Sequence, residues 1–329
     1  MKNIALFFLA LIVNIGTWAQ DPHFSQYYAS PTTVNPAMAG MFSGNMRLSA
    51  IYRQQWPQYG QPFVTGTFAV EVKPGQFAND NGNDRMAIGG MFLYDKTPDA
   101  VLKSQYAYGM IAYHKTLDAA GHHRLGLGFM TGVNQRTLDV SQLTFGSSFG
   151  SGGFQRTGGD VIKYGKSTSF DAHTGFVYSY EDEYKVYCIG GSVFHVLNPK
   201  DYFLEDGSKA TGTPKRWSAN AGFHITTENE ISYVGSALFM QQANVNYFMA
   251  GALIGVPFGE GGKIYGGAFY RLNESIIPTL NLEYNTFNLG FSYDVLVGRE
   301  TNIQPKTIEV SASWRWIKDR DLIRCPTVF

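Results

Sequence analysis

Charge is scarce in this chain. Of 329 residues only 16% are charged, against about 25% in ordinary soluble proteins. The 26 Lys and Arg balance the 26 Asp and Glu, so the formal net charge is zero. A nucleic-acid binder carries a basic excess, and that partner class is excluded. Cysteine is nearly absent. Cys188 and Cys325 lie far apart with no CxxC spacing, which excludes a zinc ribbon or a thioredoxin-type redox site. An oxidising compartment would permit a disulfide between them, although unpatterned cysteines rarely pair. Long hydrophobic runs are missing too. Past the N-terminus no stretch reaches 18 uninterrupted apolar residues, so no transmembrane helix is expected there.

What the chain has in quantity is aromatic residues and glycine: 24 Phe, 20 Tyr and 37 Gly. Mean hydropathy is nonetheless slightly negative, at −0.16. An aromatic-rich, charge-poor, mildly polar composition suits walls that face lipid on one side and water on the other.

Residues 1–19 read as a signal peptide. Lys2 supplies the positive start, and the apolar run from Ile4 to Val13 is too short to span a bilayer. Thr17-Trp18-Ala19 ends on a small residue, so cleavage after Ala19 is expected. The mature chain is then a soluble exported protein or a barrel.

Period-two alternation favours the barrel. Phe287, Leu289, Phe291, Tyr293, Val295 and Val297 alternate with Asn288, Gly290, Ser292 and Asp294. Ile308, Val310, Ala312, Trp314 and Trp316 alternate with Thr307, Glu309, Ser311, Ser313 and Arg315. Such runs mark strands with one apolar and one polar face. Fourteen can be counted, at 44–53, 63–73, 85–95, 102–115, 122–133, 168–181, 184–196, 215–226, 228–241, 243–256, 261–272, 275–284, 286–297 and 305–317. Most reach the roughly 9–11 residues that a tilted strand needs to cross a bilayer. An even count fits a bacterial single-chain barrel. Pro278 is a mild objection, because it removes one ladder donor. With the first strand running outward, the two longest connections, 134–167 and 197–214, fall outside, and the minimal ones at 182–183, 227 and 285 fall inside. The expected fold is therefore all-β: a transmembrane antiparallel barrel of about 14 strands over 44–317. It follows the signal peptide and an irregular segment at 20–43, and precedes a tail at 318–329.

Catalytic chemistry is not legible. Gly146-Ser147-Ser148-Phe149-Gly150 matches G-x-S-x-G in form but lies in a Gly/Ser-rich stretch with no helix signal. The seven His show no metal-ligand spacing. The expectation is no enzyme, no cofactor and no metal. Mixed charges on the inward faces, including Arg47, Arg53, Glu71, Arg271, Asp294, Glu309 and Arg315, suit paired charges in a wet or plugged lumen better than an ion-selective pore.

Three motifs follow the signal: Asp21-Pro22-His23-Phe24-Ser25-Gln26, Asn35-Pro36-Ala37-Met38-Ala39-Gly40 and Tyr52-Arg53-Gln54-Gln55-Trp56. With the terminal Cys325-Pro326-Thr327-Val328-Phe329, the chain resembles the PorP/SprF family of Bacteroidota outer-membrane proteins, attached to the type IX secretion system and gliding machinery. The terminal segment has one more residue between Pro and Phe than the family pattern. The resemblance implies an outer-membrane barrel that helps export, or anchors, a large secreted surface protein with a C-terminal sorting domain. It also implies contact with other secretion components. The alternative reading is a channel or transporter for small solutes.

Two sets of residues stand out as candidates. Residues 21–43, with Phe24, Tyr27 and Tyr28, lack strand alternation and could form a plug in or beneath the lumen. Trp56 and Tyr59 in an aromatic, Pro-containing loop, and Tyr202, Phe203 and Leu204 in a long loop, are candidate partner anchors. For the first pair the competing reading is an interfacial aromatic belt.

Overall fold

The computed structural model describes residues 21–74, 84–139, 149–150, 153–154, 165–201, 211–297 and 306–317. The expected signal peptide, the C-terminal tail with Cys325, and Tyr202, Phe203 and Leu204 lie outside the described residues. So do Gly146, Ser147 and Ser148.

Fourteen antiparallel strands close into one barrel. In chain order they are β1 (Met46–Gln55), β2 (Phe63–Val72), β3 (Arg85–Lys96), β4 (Leu102–Thr116), β5 (His123–Leu138), β6 (Lys166–Glu181) and β7 (Lys185–Phe194). The second half holds β8 (Arg216–Thr226), β9 (Ser232–Gln242), β10 (Val245–Phe258), β11 (Gly262–Arg271), β12 (Ser275–Tyr284), β13 (Phe287–Leu296) and β14 (Thr307–Trp316). Each strand pairs with its sequence neighbours, and β1 pairs with β14 from Met46↔Trp316 to Gln55↔Thr307. Closure leaves no strand edge, so the ladder groups find partners within the sheet and not in lipid, apart from the break at Pro278.

The alternation read from the sequence is the alternation of the wall. Outward positions carry large apolar side chains: Phe68, Phe92, Leu127, Phe176, Ile189, Leu280, Leu289 and Val310 are all exposed. Aromatic residues mark both rims, with Phe170, Trp217 and Tyr270 at one end and Tyr187, Tyr284 and Trp316 at the other. That is the girdle of an outer-membrane barrel. Among the described residues no helix is long and apolar enough to cross a membrane, and the strands are the crossing elements.

Connections after odd-numbered strands cluster at one mouth, termed the long-loop mouth, and those after even-numbered strands at the other, the short-turn mouth. The short turns are locally encoded. Asp182 Oδ1 accepts the backbone N–H groups of Tyr184 (2.8 Å) and Lys185 (2.7 Å) between β6 and β7, an Asx-type turn. The Tyr184 N–H, followed by that of Lys185, stabilises the carboxylate and lowers its pKa. Pro278 has the effect expected of it. The β12–β13 ladder pairs Ile276↔Val295 and resumes at Thr279↔Ser292, skipping the positions around the proline.

The 134–167 connection is shorter than alternation suggested. β5 runs on to Leu138 and β6 starts at Lys166, with Asn134↔Ser169 and Arg136↔Ser167 still paired. Polar residues on both faces hide that extension from a period-two reading.

Candidate functional site

The irregular segment 21–43 lies inside the barrel. It forms three single-turn 3-10 helices, Tyr27–Ala29, Pro31–Thr33 and Pro36–Met38. Two of them start on a proline, whose fixed φ suits a first helical position and whose missing N–H costs nothing there. Most of its residues are buried, including Phe24, Tyr27, Tyr28, Ala37 and Phe42, and the rest are half-buried.

The segment threads the lumen from mouth to mouth. Asp21 sits at the long-loop mouth, where its carboxylate meets Arg216 Nη1 (3.0 Å) and His195 Nε2 (2.6 Å). Its backbone N–H donates to Gln242 Oε1 (2.8 Å). Next, the Arg53 guanidinium donates to the His23 carbonyl. The N–H groups of Ser25 and Gln26 donate to the two oxygens of Glu309, at 2.7 and 2.8 Å. Ser25 Oγ donates to Asp294 (2.8 Å) and accepts from Arg271 (2.6 Å). Gln26 donates to the Glu309 carbonyl (3.1 Å) and accepts from Ser311 Oγ (2.8 Å).

Halfway down, Asn35 Oδ1 caps its own turn on the Ala37 N–H (2.9 Å). Its Nδ2 donates to the Phe176 carbonyl (2.9 Å) and to Asn220 (3.1 Å). The wall makes room by lacking side chains. A Cβ at Gly128 would collide with the Pro36–Ala37 peptide, and one at Gly175 with Asn35 Oδ1. At Gly190 it would stand 2.8 Å from Asn35 Nδ2.

At the short-turn mouth Gly40, with φ +78°, donates its N–H to Glu71 Oε2 (2.9 Å). Phe42 offers its carbonyl to Lys73 (2.7 Å), and Ser43 Oγ accepts from Arg315 (2.7 Å).

The aromatic candidates Phe24, Tyr27 and Tyr28 all lie in this segment, within the lumen. Tyr28 stacks on Phe269 at 5.4 Å between ring centroids. Tyr27 donates to Ser236 Oγ (2.8 Å). Both join an apolar cluster with Val234, Leu238, Met249, Leu253 and Ile277 from the inner wall. The inner face is therefore a packed core as well as a polar lining. Burying each such aromatic contributes on the order of 2 kcal/mol.

The lumen charges are paired. Arg47 meets Glu71 at 2.6 Å, Arg53 meets Glu309 at 3.2 Å, Arg271 meets Asp294 at 2.9 Å and Arg315 meets Glu283 at 2.5 Å. Two cavities beside the segment, lined by described residues, are small. One of about 30 Å³ lies among Asp21, Tyr108, His173, His195 and Arg216. Another of about 10 Å³ lies among Ala29, Arg47, Asn288 and Ser311.

The other candidates are placed as follows. Trp56 and Tyr59 are exposed at the long-loop mouth, 42% and 52% respectively. Trp56 adopts φ +58°, uncommon for a bulky residue. Its N–H donates to the Lys306 carbonyl (2.7 Å), and its ring packs edge-on against Phe63. The structure does not bring this pair onto the segment 21–43.

One constellation escaped the sequence reading. Asp171 and His173 share the inward face of β6, and His195 follows β7. Strict alternation would turn His195 toward lipid, since Phe194 already faces the lumen. A left-handed φ of +58° turns it back inside. His195 Nδ1 lies 2.5 Å from Asp171 Oδ2, and its backbone N–H donates to His173 Nδ1 (3.0 Å). The only sequence signal was an Asp-x-His pair on one strand face.

The sequence profile of the family described as "Type IX secretion system membrane protein PorP/SprF" matches residues 17–314. The chain belongs to the PorP/SprF family. Its fold and family place it in the outer membrane. No curated protein matches it by sequence. Among solved structures it is similar to a Pseudomonas aeruginosa FadL homologue, with TM-score 0.50 and 9% identity, covering 86% of this chain and 93% of that one. It is also similar to the Pseudomonas putida toluene transporter TodX, with TM-score 0.48 and 9% identity over 91% and 94%. A third is the KdgM porin, with TM-score 0.40 and 5% identity over 82% and 99%. These likenesses concern the barrel fold alone. Inside this PorP/SprF chain, the two motifs 21–26 and 35–40 both hydrogen-bond to the wall, as do Tyr27, Phe42 and Ser43 outside them.

Proposed function

We propose that this barrel is a non-enzymatic, non-conducting partner that binds, helps export or anchors a large secreted surface protein, together with other type IX components. Membership of the PorP/SprF family supports the secretion role. The observation that carries the non-conducting part is the segment 21–43, tied to the wall from Asp21 to Ser43, with two small cavities of about 30 and 10 Å³ beside it among the described residues. A barrel filled by its own chain offers its mouths, not its lumen. Phe24, Tyr27 and Tyr28 are the aromatic body of the plug. Trp56 and Tyr59 are the proposed anchors at the long-loop mouth, with Tyr202, Phe203 and Leu204 as further candidates.

The test has two arms. Affinity purification from native outer membranes should recover a large secreted protein with a C-terminal sorting domain, and its absence would sink the anchoring role. In planar bilayers the intact barrel should be silent and the variant lacking 21–43 should conduct. Conductance by the intact barrel would favour the competing reading, a channel for small solutes, and no rise on deletion would count against a plug.

A further inference from the structure

We propose that Asp171, His173 and His195 form a divalent metal site of the zinc class at the long-loop end of the lumen, with Asp21 of the N-terminal segment as the outer carboxylate that orients His195. One donor atom from each of the three residues lies within 4.8 Å of the other two, with Asp171 Oδ2 2.5 Å from His195 Nδ1 and 3.7 Å from His173 Nε2, and all three residues are buried. Two imidazoles and one carboxylate are a common zinc donor set.

The observation that points to a ligand is His173. Its ring is 1% exposed, and Nε2 has no hydrogen-bond partner. The nearest acceptor, Asp171 Oδ2, is 3.7 Å away, too far for a hydrogen bond. A buried ring nitrogen without a partner is costly, and an ion in the cluster would satisfy it.

The surroundings supply the rest of a metal site. His195 Nε2 donates to Asp21 Oδ2 at 2.6 Å, the carboxylate–histidine arrangement that fixes a ligating ring. Asp171 Oδ1 is held by the Ala172 N–H at 2.8 Å, which orients the carboxylate, and Oδ2, at present bonded to His195 Nδ1, is the oxygen the ion would take over. The adjoining cavity of about 30 Å³ has room for a water as fourth ligand. Asp171 Oδ2 and His195 Nδ1, now 2.5 Å apart, would have to separate to roughly 3.3 Å for tetrahedral zinc.

Two contacts oppose binding, the His195–Asp171 bond and the His195 N–H on His173. Coordination through His173 Nε2 moves the ring proton to Nδ1, where it faces the His195 N–H. That sacrifices one neutral hydrogen bond; at His195 the Nδ1 proton now shared with Asp171 must be released to solvent as the metal enters, and three metal–ligand bonds outweigh both losses. Occupied, the site would couple metal loading to retention of Asp21, and so of the segment's outer end.

The test uses the full-length barrel purified from outer membranes in detergent, stripped with a chelator and titrated with Co²⁺, then Zn²⁺. We expect about one equivalent of Co²⁺ with the visible bands of a tetrahedral nitrogen/oxygen site, bleached by Zn²⁺. His173→Phe, which keeps an aromatic ring between Tyr108 and Phe194, should abolish the bands while leaving the compact barrel band on unheated gels. Should that variant not fold, Asp21→Asn should bind Co²⁺ about 10- to 100-fold more weakly, as expected for loss of an outer-shell carboxylate. Absence of bands in the folded wild-type protein would overturn the site. Unchanged affinity in Asp21→Asn would overturn the role of Asp21.

Discussion

Glu309, in the last strand, accepts the backbone N–H of Ser25 at 2.7 Å across 284 residues of sequence. Its other oxygen takes the Gln26 N–H, and Arg53 balances its charge at 3.2 Å. The carboxylate is fully buried and bridges three partners from two parts of the chain.

Glu309→Ala should therefore be severe. It leaves the buried Arg53 guanidinium under-compensated and orphans two backbone donors. Removal of one partner from a buried pair costs about 3–5 kcal/mol. Denaturant unfolding of the refolded barrel in detergent, followed by tryptophan fluorescence, should show a loss of that size. A change below about 1 kcal/mol would mean the segment is not held there.

Gly128→Val tests the cradle from the wall side. Its Cβ would occupy the space of the Pro36–Ala37 peptide. The strand itself tolerates valine, since β-branched residues favour strands. We expect a folded barrel whose segment is dislodged, seen as protease cleavage within 21–43 that the wild type resists. Continued protection would argue that the segment can shift without leaving.

Asp84 gives a pH dependence with a defined sign. Burial by itself raises its pKa, but hydrogen bonds from Tyr113, Lys115 and the Thr116 N–H prevail and bring it to about 2. A carboxyl held below its unfolded value of about 3.9 stabilises the fold above that value. The contribution fades as pH falls from about 4 through about 2. Wild-type barrel should lose thermal stability across that window relative to its value at pH 6, and Asp84→Asn should lose less. Parallel curves for the two proteins would remove Asp84 from the account.

Trp56→Ala with Tyr59→Ala addresses the long-loop mouth. If both rings anchor the secreted partner, each truncation should weaken binding by about 2 kcal/mol, roughly 30-fold. Barrel stability should hold, because both rings are exposed. Undiminished partner recovery from membranes would assign the pair to the bilayer interface.

Legibility followed the range of the interactions. Strands such as Phe287–Leu296 and Thr307–Trp316 declare themselves, because alternation between lipid and lumen is local and repeats every two residues. The last residues of β5 do not, because Asn134, Gln135 and Arg136 are polar on either face. The bonds that Ser25, Gln26 and Asn35 make to the wall reach partners between 141 and 285 residues away, and no window in the sequence contains both ends. Gly128, Gly175 and Gly190 read as neutral strand glycines until Asn35 and its turn are set against them. His195 was the least legible, since one left-handed φ reverses the face that alternation assigns.

The pairing of β1 with β14 bears on the order in which the barrel is assembled. The segment carries its own polar backbone and is nearly as long, end to end, as the cylinder that encloses it. It cannot thread a sealed cylinder without passing Gln26, Asn35 and Gly40 across occupied sites. The seam between first and last strands, the one pairing that joins the two ends of the wall, is then expected to zip last, after the segment is laid down. Because Glu309 sits on that last strand and grips Ser25 and Gln26, the step that seals the wall also locks its contents, and a chain truncated before Thr307 should neither close nor hold its N-terminal segment.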